Sequence, residues 1–285
     1  MSMGLILEGG GNRCAFTAGV LDVLSQNNIF LPVTYAVSAG ACNGMSYLSK
    51  QQKRNYRIFT EYAADKRYSS LKLLITTGSL FGFDFIFGEL SHLLPFDFDE
   101  FYKTSMQIKV LATDCETGKP VVFTKEDMKD ENLTPLIASA SLPVVAKIVD
   151  YDGHKLLDGG VSAPIPIEYA INDGVDRNVI VMTRDAGYFK SNKPEFSPFL
   201  LRRKYKKYPA LVDAIVHRSE VYNREKNLCI SEQEAGRAII IQPSRPINIK
   251  RQCKDRHEME DLYNLGVEDA KKQLVEINRF VALNS

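Results

Sequence analysis

Apolar positions along this chain come in short blocks whose spacing changes from strand-like to helix-like and back. Gly4-Leu5-Ile6-Leu7 is apolar throughout and stops at Glu8-Gly9-Gly10-Gly11. A run of this kind, without polar alternation, fits a strand buried on both faces. Phe16, Val20, Val23 and Leu24 then recur at helical spacing, which predicts a helix ending near Asn27-Asn28. Val33 to Val37 reads as a second buried strand, running through Ser38-Ala39-Gly40 into a helix that carries Met45 and Leu48. Two successive strand–turn–helix units, each with glycine in its turn, predict a parallel sheet covered by helices.

The same alternation continues downstream. Gln107 to Asp114 is a strand, and Glu116-Thr117-Gly118-Lys119 turns it into Val121-Val122-Phe123. Val144 to Val149 and Lys155 to Leu157 pair across Asp152-Gly153, a favoured hairpin turn. Ile165 to Ile171 suits a helix with Pro164 and Pro166 near its start, and Val179 to Met182 is one more buried strand. Beyond Gly187 the composition shifts to Pro194, Pro198, the basic run Arg202 to Lys207 and mostly helical periodicity. One strand, Ala238 to Ile241, interrupts it before a final helix from Glu258 to Leu283. The expected organisation is an α/β core over residues 1–186 and a mainly helical extension packed on it over 187–285. Within the core, Leu71 to Tyr102 is crowded with phenylalanine and leucine, and reads either as the wall or cover of an apolar pocket or as an ordinary pair of core helices.

Composition narrows the functional classes. The 36 Lys and Arg against 35 Asp and Glu leave a net charge of +1, unlike the basic footprint of a nucleic-acid binder, so no nucleic-acid partner is expected. Five cysteines at 14, 42, 115, 229 and 253 show no paired spacing, which argues against a disulfide framework or a zinc site and for a reducing cytoplasm. No basic leader and no run of about 20 apolar residues is present, so neither a signal peptide nor a membrane span is expected. Peripheral contact with a membrane surface stays open, with Arg202 to Lys207 as one basic stretch that could face headgroups or simply solvent. Oligomeric state is not encoded in any of these patterns.

Three short segments carry candidate chemistry. Ser38 stands at a strand-to-helix turn among the small residues Ala36, Ala39, Gly40 and Ala41. That is the setting a nucleophilic serine elbow requires, although a serine before a helix is also an ordinary N-cap. Gly9-Gly10-Gly11-Asn12-Arg13 lies at the preceding strand-to-helix turn, where consecutive glycines let several amides converge on one anionic centre. A dinucleotide-binding turn is the competing reading. It wants glycine where Cys14 stands and an acid near the end of the second strand, where Ala36-Val37-Ser38 lies instead. Leu156-Leu157-Asp158-Gly159-Gly160 sets a carboxylate at a strand end beside two glycines, a pattern shared with plain turns.

Together, in this order, the three segments resemble the patatin-like phospholipase family across roughly Met3 to Arg184. The resemblance implies a three-layer α/β/α fold with a mostly parallel central sheet. It also implies acyl hydrolysis by a Ser–Asp dyad without histidine, metal or cofactor. Carried over, Ser38 is the nucleophile and Asp158 its general base. The amides of Gly10 and Gly11 with their neighbours Gly9 and Asn12 bind the oxyanion, and Arg13 supports the loop. Ala36, Gly40, Gly159 and Gly160 support the elbow and the aspartate turn. Ala36 and Cys14 each stand where the family has glycine; Cys14 is thereby a candidate for crowding the pocket or for redox sensitivity. A Ser-His-Asp triad would have to use His92, His154, His217 or His257, and chain order admits only the last two, neither in a strand-end loop among small residues. The expected activity is hydrolysis of lipid acyl esters, phospholipase A- or esterase-like, in the cytoplasm or at a membrane surface. The alternatives are an acyl-thioesterase using the same dyad, and a non-catalytic lipid- or nucleotide-binding α/β protein.

Overall fold

Each wholly apolar run becomes a strand, because only a sheet covered on both faces can bury every side chain of such a run. In the computed structural model, which describes residues 2–191 and 193–282, the strands are β1 (Met3–Leu7), β2 (Val33–Val37), β3 (Gln107–Asp114), β4 (Pro120–Thr124), β5 (Val149–Tyr151), β6 (His154–Asp158), β7 (Arg177–Val181) and β8 (Ala238–Ile241). They form one sheet in the order β5-β6-β3-β2-β1-β7-β8, with β4 paired to β3. From β3 through β8 every neighbour is parallel, whereas β4, β5 and β6 pair antiparallel.

Alternation along the strands sorts side chains to two cores. Leu5, Leu7, Val179, Val181, Ile239 and Ile241 face α1 (Ala15–Gln26), α2 (Ala39–Leu48) and the helix Arg256–Ala282. Ile6, Tyr35, Ile180 and Ile240 face the helices Ile167–Asn172 and Pro209–Glu234 through Ile167, Ala170, Tyr222 and Cys229. The result is the three-layer α/β/α arrangement that the resemblance implies. Between α2 and β3 a run of short helices, including Leu71–Thr77 and Phe98–Lys103, builds its own small cluster of Tyr68, Phe85, Leu90 and Leu94.

Several boundaries differ from the sequence pattern. The strand expected from Val144 starts only at Val149, because Val144 follows Pro143 in a left-handed conformation (φ 72°) and its amide donates to the Tyr205 hydroxyl at 2.7 Å. Arg202, Arg203, Lys204, Lys206 and Lys207 are all exposed around the buried Tyr205. The last helix begins at Arg256, and Leu283, expected at its end, lies outside the described residues.

The C-terminal helix meets α1 at backbone distance. A Cβ at Gly19 would lie 2.1 Å from the Tyr263 carbonyl oxygen, and one at Gly266 would lie 2.1 Å from that of Phe16. The Tyr263 hydroxyl donates to Asp22 of α1 at 2.6 Å, fixing the register of the crossing. Neither helix can retreat without opening the core that both share with the sheet. Gly19→Ala and Gly266→Ala are therefore each expected to destabilise the protein by about 1–3 kcal/mol, as overpacked cores do. Thermal unfolding of the two variants checks this, and an unchanged midpoint would refute the contact.

Candidate active site

Strand register brings the serine and the aspartate to one level. Val37 of β2 pairs with Leu111 of β3, and the next residue of β3, Ala112, pairs with Asp158 of β6. One step beyond Val37 therefore places Ser38 opposite Asp158, with β3 between their strands. Ser38 itself adopts φ 56° and ψ −132°, a conformation that L-residues avoid and that lifts its side chain off the sheet. Its amide donates to Ser139 Oγ at 2.8 Å, and Ser139 Oγ donates in turn to the Leu111 carbonyl at 2.7 Å. Two residues on, a Cβ at Gly40 would lie 2.5 Å from the Glu8 carbonyl oxygen, so α2 starts hard against the end of β1. Ala36 is fully buried in the core beneath the elbow.

Ser38 Oγ donates to Asp158 Oδ2 at 2.8 Å. The other carboxylate oxygen accepts the Gly160 amide at 2.7 Å, and the Asp158 amide donates to the Ser141 carbonyl at 2.8 Å. Ser139 and Ser141 thus hold both partners from one end of the helix Thr134–Ala140. Arg218 Nε donates to the Gly160 carbonyl at 2.5 Å, bracing the aspartate turn from the far helical layer, and Gly159 packs on the Leu111 carbonyl. Burial pushes the Asp158 carboxyl above its ordinary range, with the nearby Arg218 charge and the Ser38 hydroxyl pulling part of the way back. A carboxylate so placed is more basic than one in water and takes a proton from a hydroxyl more readily.

The glycine loop abuts the serine, since a Cβ at Gly9 would lie 3.2 Å from Ser38 Cβ. Three of its amides are occupied: Gly9 donates to Pro164, Asn12 to Arg251 at 2.9 Å, and Arg13 to Gly10 at 3.3 Å. The amides of Gly10 and Gly11 have no acceptor among the described residues. The expected cradle of Gly9 to Arg13 therefore narrows to two free donors. Gly11 (φ 57°) crosses close to Arg251, and Asn12 Nδ2 donates to the Cys253 carbonyl at 2.6 Å, so the C-terminal segment clamps the loop. Arg13, expected to support the loop, bonds within it through its amide to the Gly10 carbonyl. Its guanidinium, 7% exposed, makes no hydrogen bond among the described residues and lines a cleft. Cys14 neither crowds the pocket nor presents a thiolate: it is fully buried, points at the Glu8 carbonyl, and burial drives its thiol pKa far up.

Ser38 stands where two cavities meet. One is apolar, walled by Phe81, Phe83, Ile86, Phe87, Phe96 and Leu136, so the aromatic stretch before β3 is both a small core and a cavity wall. The other is polar and carries Arg13, Arg184, Lys190, Arg218, Tyr222 and Arg251. None of the four histidines lines either cavity, and His154 is engaged with Asp114 at 2.9 Å. Among the described residues no group of three or more His, Cys, Asp or Glu is arranged to hold a metal, and no helix is long and apolar enough to cross a membrane. Ser139, Arg218, Tyr222 and Arg251 carry no sequence signal that marks them, because each reaches the site through tertiary packing alone.

Comparison with known proteins adds to this geometry. The sequence model described as patatin-like phospholipase matches residues 5–171, and one described as a domain of unknown function (DUF6363) matches residues 208–282. The chain is 27% identical over 187 residues to the uncharacterized protein YjjU of Escherichia coli (strain K12), covering 63% of this chain and 51% of that protein, about half its length. It is 25% identical over 266 residues to the probable lipid hydrolase 463L of invertebrate iridescent virus 6, covering 82% of this chain and 90% of that one. The solved structure of VipD from Legionella pneumophila aligns over 96% of this chain and 67% of its own, with a TM-score of 0.47 and 15% identity.

A fluorophosphonate is expected to label Ser38, at a rate that follows the protonation of the carboxylate to which its hydroxyl donates. The expected outcome is a rate that drops as the pH is lowered, along one limb whose midpoint lies above the ordinary aspartate value of about 3.9. Arg218→Gln removes a charge that favours the carboxylate and moves that midpoint higher still. Ser139→Ala slows labelling about 10-fold with the midpoint unmoved, as loss of one positioning hydrogen bond would. A limb at or below the ordinary value would contradict the buried base.

Proposed function

The chain belongs to the patatin-like phospholipase family, and on that footing we propose that it is a serine acyl hydrolase that cleaves fatty-acyl esters of lipids through Ser38 and Asp158. The observation that carries the reading is the 2.8 Å hydrogen bond from Ser38 Oγ to a buried carboxylate, beside two backbone amides that have no acceptor among the described residues. The name of the viral relative, a probable lipid hydrolase, points the same way.

The reaction follows from where the protons go. Asp158 Oδ2 takes the hydroxyl proton as Ser38 Oγ attacks the ester carbonyl, and the oxyanion moves onto the amides of Gly10 and Gly11. The protonated carboxyl then returns that proton to the departing alkoxide as the carbon–oxygen bond breaks, leaving an acyl-serine. Water enters where the alcohol left, gives its proton to the same carboxylate, and attacks the acyl carbon; collapse returns the proton to Ser38 and releases the fatty acid. The apolar cavity, with Phe83, Phe87 and Phe96 in the same lining as Ser38, suits the acyl chain. On the helix Leu71–Thr77, which contributes no buried residue, Leu71 and Ile75 are exposed at 73% and 85% and offer apolar contact to a lipid surface. Five free cysteines fit a cytoplasmic setting.

Ser38→Ala and Asp158→Asn are each expected to abolish hydrolysis of medium-chain p-nitrophenyl esters while the fold is retained by circular dichroism. Retained turnover in either variant rejects the dyad. Parallel assays with acyl-CoA separate ester from thioester hydrolysis; a higher kcat/KM on the thioester would replace the substrate class and leave the mechanism intact.

A further inference from the structure

The second cavity at Ser38 gathers five basic side chains against fewer carboxylates. Arg13, Arg184, Lys190, Arg218 and Arg251 line it, and the facing carboxylates are already engaged. Glu8 accepts the Thr183 amide, Asp158 holds Ser38 and Gly160, and Glu195 bridges Arg218 and Arg251 at 3.2 and 3.1 Å. Three polar atoms in the same cleft are buried without partners: Arg13 Nε, Arg184 Nε and the Tyr222 hydroxyl. Unpaired guanidinium donors of this kind are costly unless something anionic binds them. The crowding also shows in titration: burial, with Arg218 and Arg251 adding to it, brings the Lys190 ammonium down to about 6, and burial beside Arg184 and Arg251 brings Arg13 to about 10.

The two cavities share Ser38 and Gly11, with Leu142 in both linings, and diverge from there. If the acyl chain occupies the aromatic side, the alcohol half of the ester has only the basic side to enter. We propose that this cleft binds a phosphate monoester carried by the leaving alcohol, so that the substrates are acyl esters of a glycerophosphate with an unsubstituted phosphate. Arginine forks match tetrahedral phosphate oxygens with paired N–H donors, and a dianion offsets more of the cluster than a zwitterionic or neutral headgroup does. Beyond Arg13 and Arg251 the cleft opens into a wider space of about 580 Å³ lined by Lys193 and Lys250, which leaves a route for the headgroup to enter. This inference deepens the hydrolase reading and rests on it for the identity of the leaving group, but the anion site itself does not depend on turnover.

The test therefore has a binding arm and a kinetic arm. In the first, catalytically blocked Ser38→Ala protein is titrated with inorganic phosphate and with glycerol 3-phosphate by calorimetry. Saturable binding is expected for both, weakened about 10- to 100-fold by Arg184→Gln or Arg251→Gln, and tightened by Glu195→Gln, which frees two arginines. In the second, the unmodified protein is assayed on 1,2-dioctanoylglycerol 3-phosphate and on 1,2-dioctanoylglycerol, which share their acyl chains. A kcat/KM ratio of about 10- to 100-fold in favour of the phosphate ester is expected, with the ratio falling in Arg184→Gln. No binding of either phosphate to Ser38→Ala overturns the site. Binding of inorganic phosphate with equal rates on the two lipids overturns the headgroup assignment and marks free phosphate as the ligand. Binding with no hydrolysis of either lipid supports the anion site and counts against the hydrolase reading.

Discussion

Ser38 is held in a backbone conformation that costs of order 1–3 kcal/mol relative to an ordinary residue, and it persists only because its surroundings leave no alternative. Behind it, β2 is locked between β1 and β3; ahead of it, Gly40 in the first turn of α2 is pressed against the end of β1. The amide that this conformation turns away from the sheet is caught by Ser139, which is itself tied to β3. Every contact that fixes the elbow thus leads back to the three central strands. A relaxed serine would rotate its hydroxyl away from Asp158, so the strain and the hydrogen bond to the carboxylate are two sides of one constraint.

In the proposed dyad, that constraint is what would let an aspartate serve without histidine. A carboxylate has less reach and less freedom of orientation than an imidazole, so a direct Ser–Asp pair must be positioned by the sheet itself. Here both residues stand level with Ala112 of β3, one from each flanking strand. Asp158 is then fixed at three atoms, through its amide, its carbonyl and Oδ1, which leaves Oδ2 for Ser38. Burial makes the carboxylate more basic, while the Arg218 charge, the Ser38 hydroxyl and the Gly160 amide each pull in the opposite direction. In the proposed dyad, the balance between these opposing effects would set the strength of the base.

Much of this was legible because it is local. The strand runs, the glycine loop, the elbow and the Asp-Gly-Gly turn are each contiguous in sequence, and their order alone pointed to the family. What the sequence pattern missed is long-range. Ser139 reaches Ser38 across 101 residues, Arg218 reaches Gly160 across 58, and Asn12 reaches Cys253 across 241. A serine in Ile137-Ala138-Ser139-Ala140 or an arginine on a long helix looks like any other until the fold closes. The late start of β5 is of the same kind, since a tyrosine hydroxyl 61 positions away takes the amide of Val144.

The region after Gly187 shows why a composition shift is a poor guide to where a site ends. Helical periodicity does begin there, yet β8 extends the sheet, Arg251 and Cys253 clamp the glycine loop, and Arg218 braces the aspartate turn. The family match ends at residue 171, so these contacts come from sequence outside it. Ser38, Asp158 and the glycine loop, the reacting groups of the proposed mechanism, lie within residues 5–171. Arg218, Tyr222 and Arg251, within the segment 208–282, instead line the wall against which the leaving half of a substrate would rest. On the reading proposed here, bond cleavage and headgroup choice fall to different stretches of the chain. Substitutions in the second would then alter which ester is accepted while Ser38, Asp158 and the glycine loop stay in place.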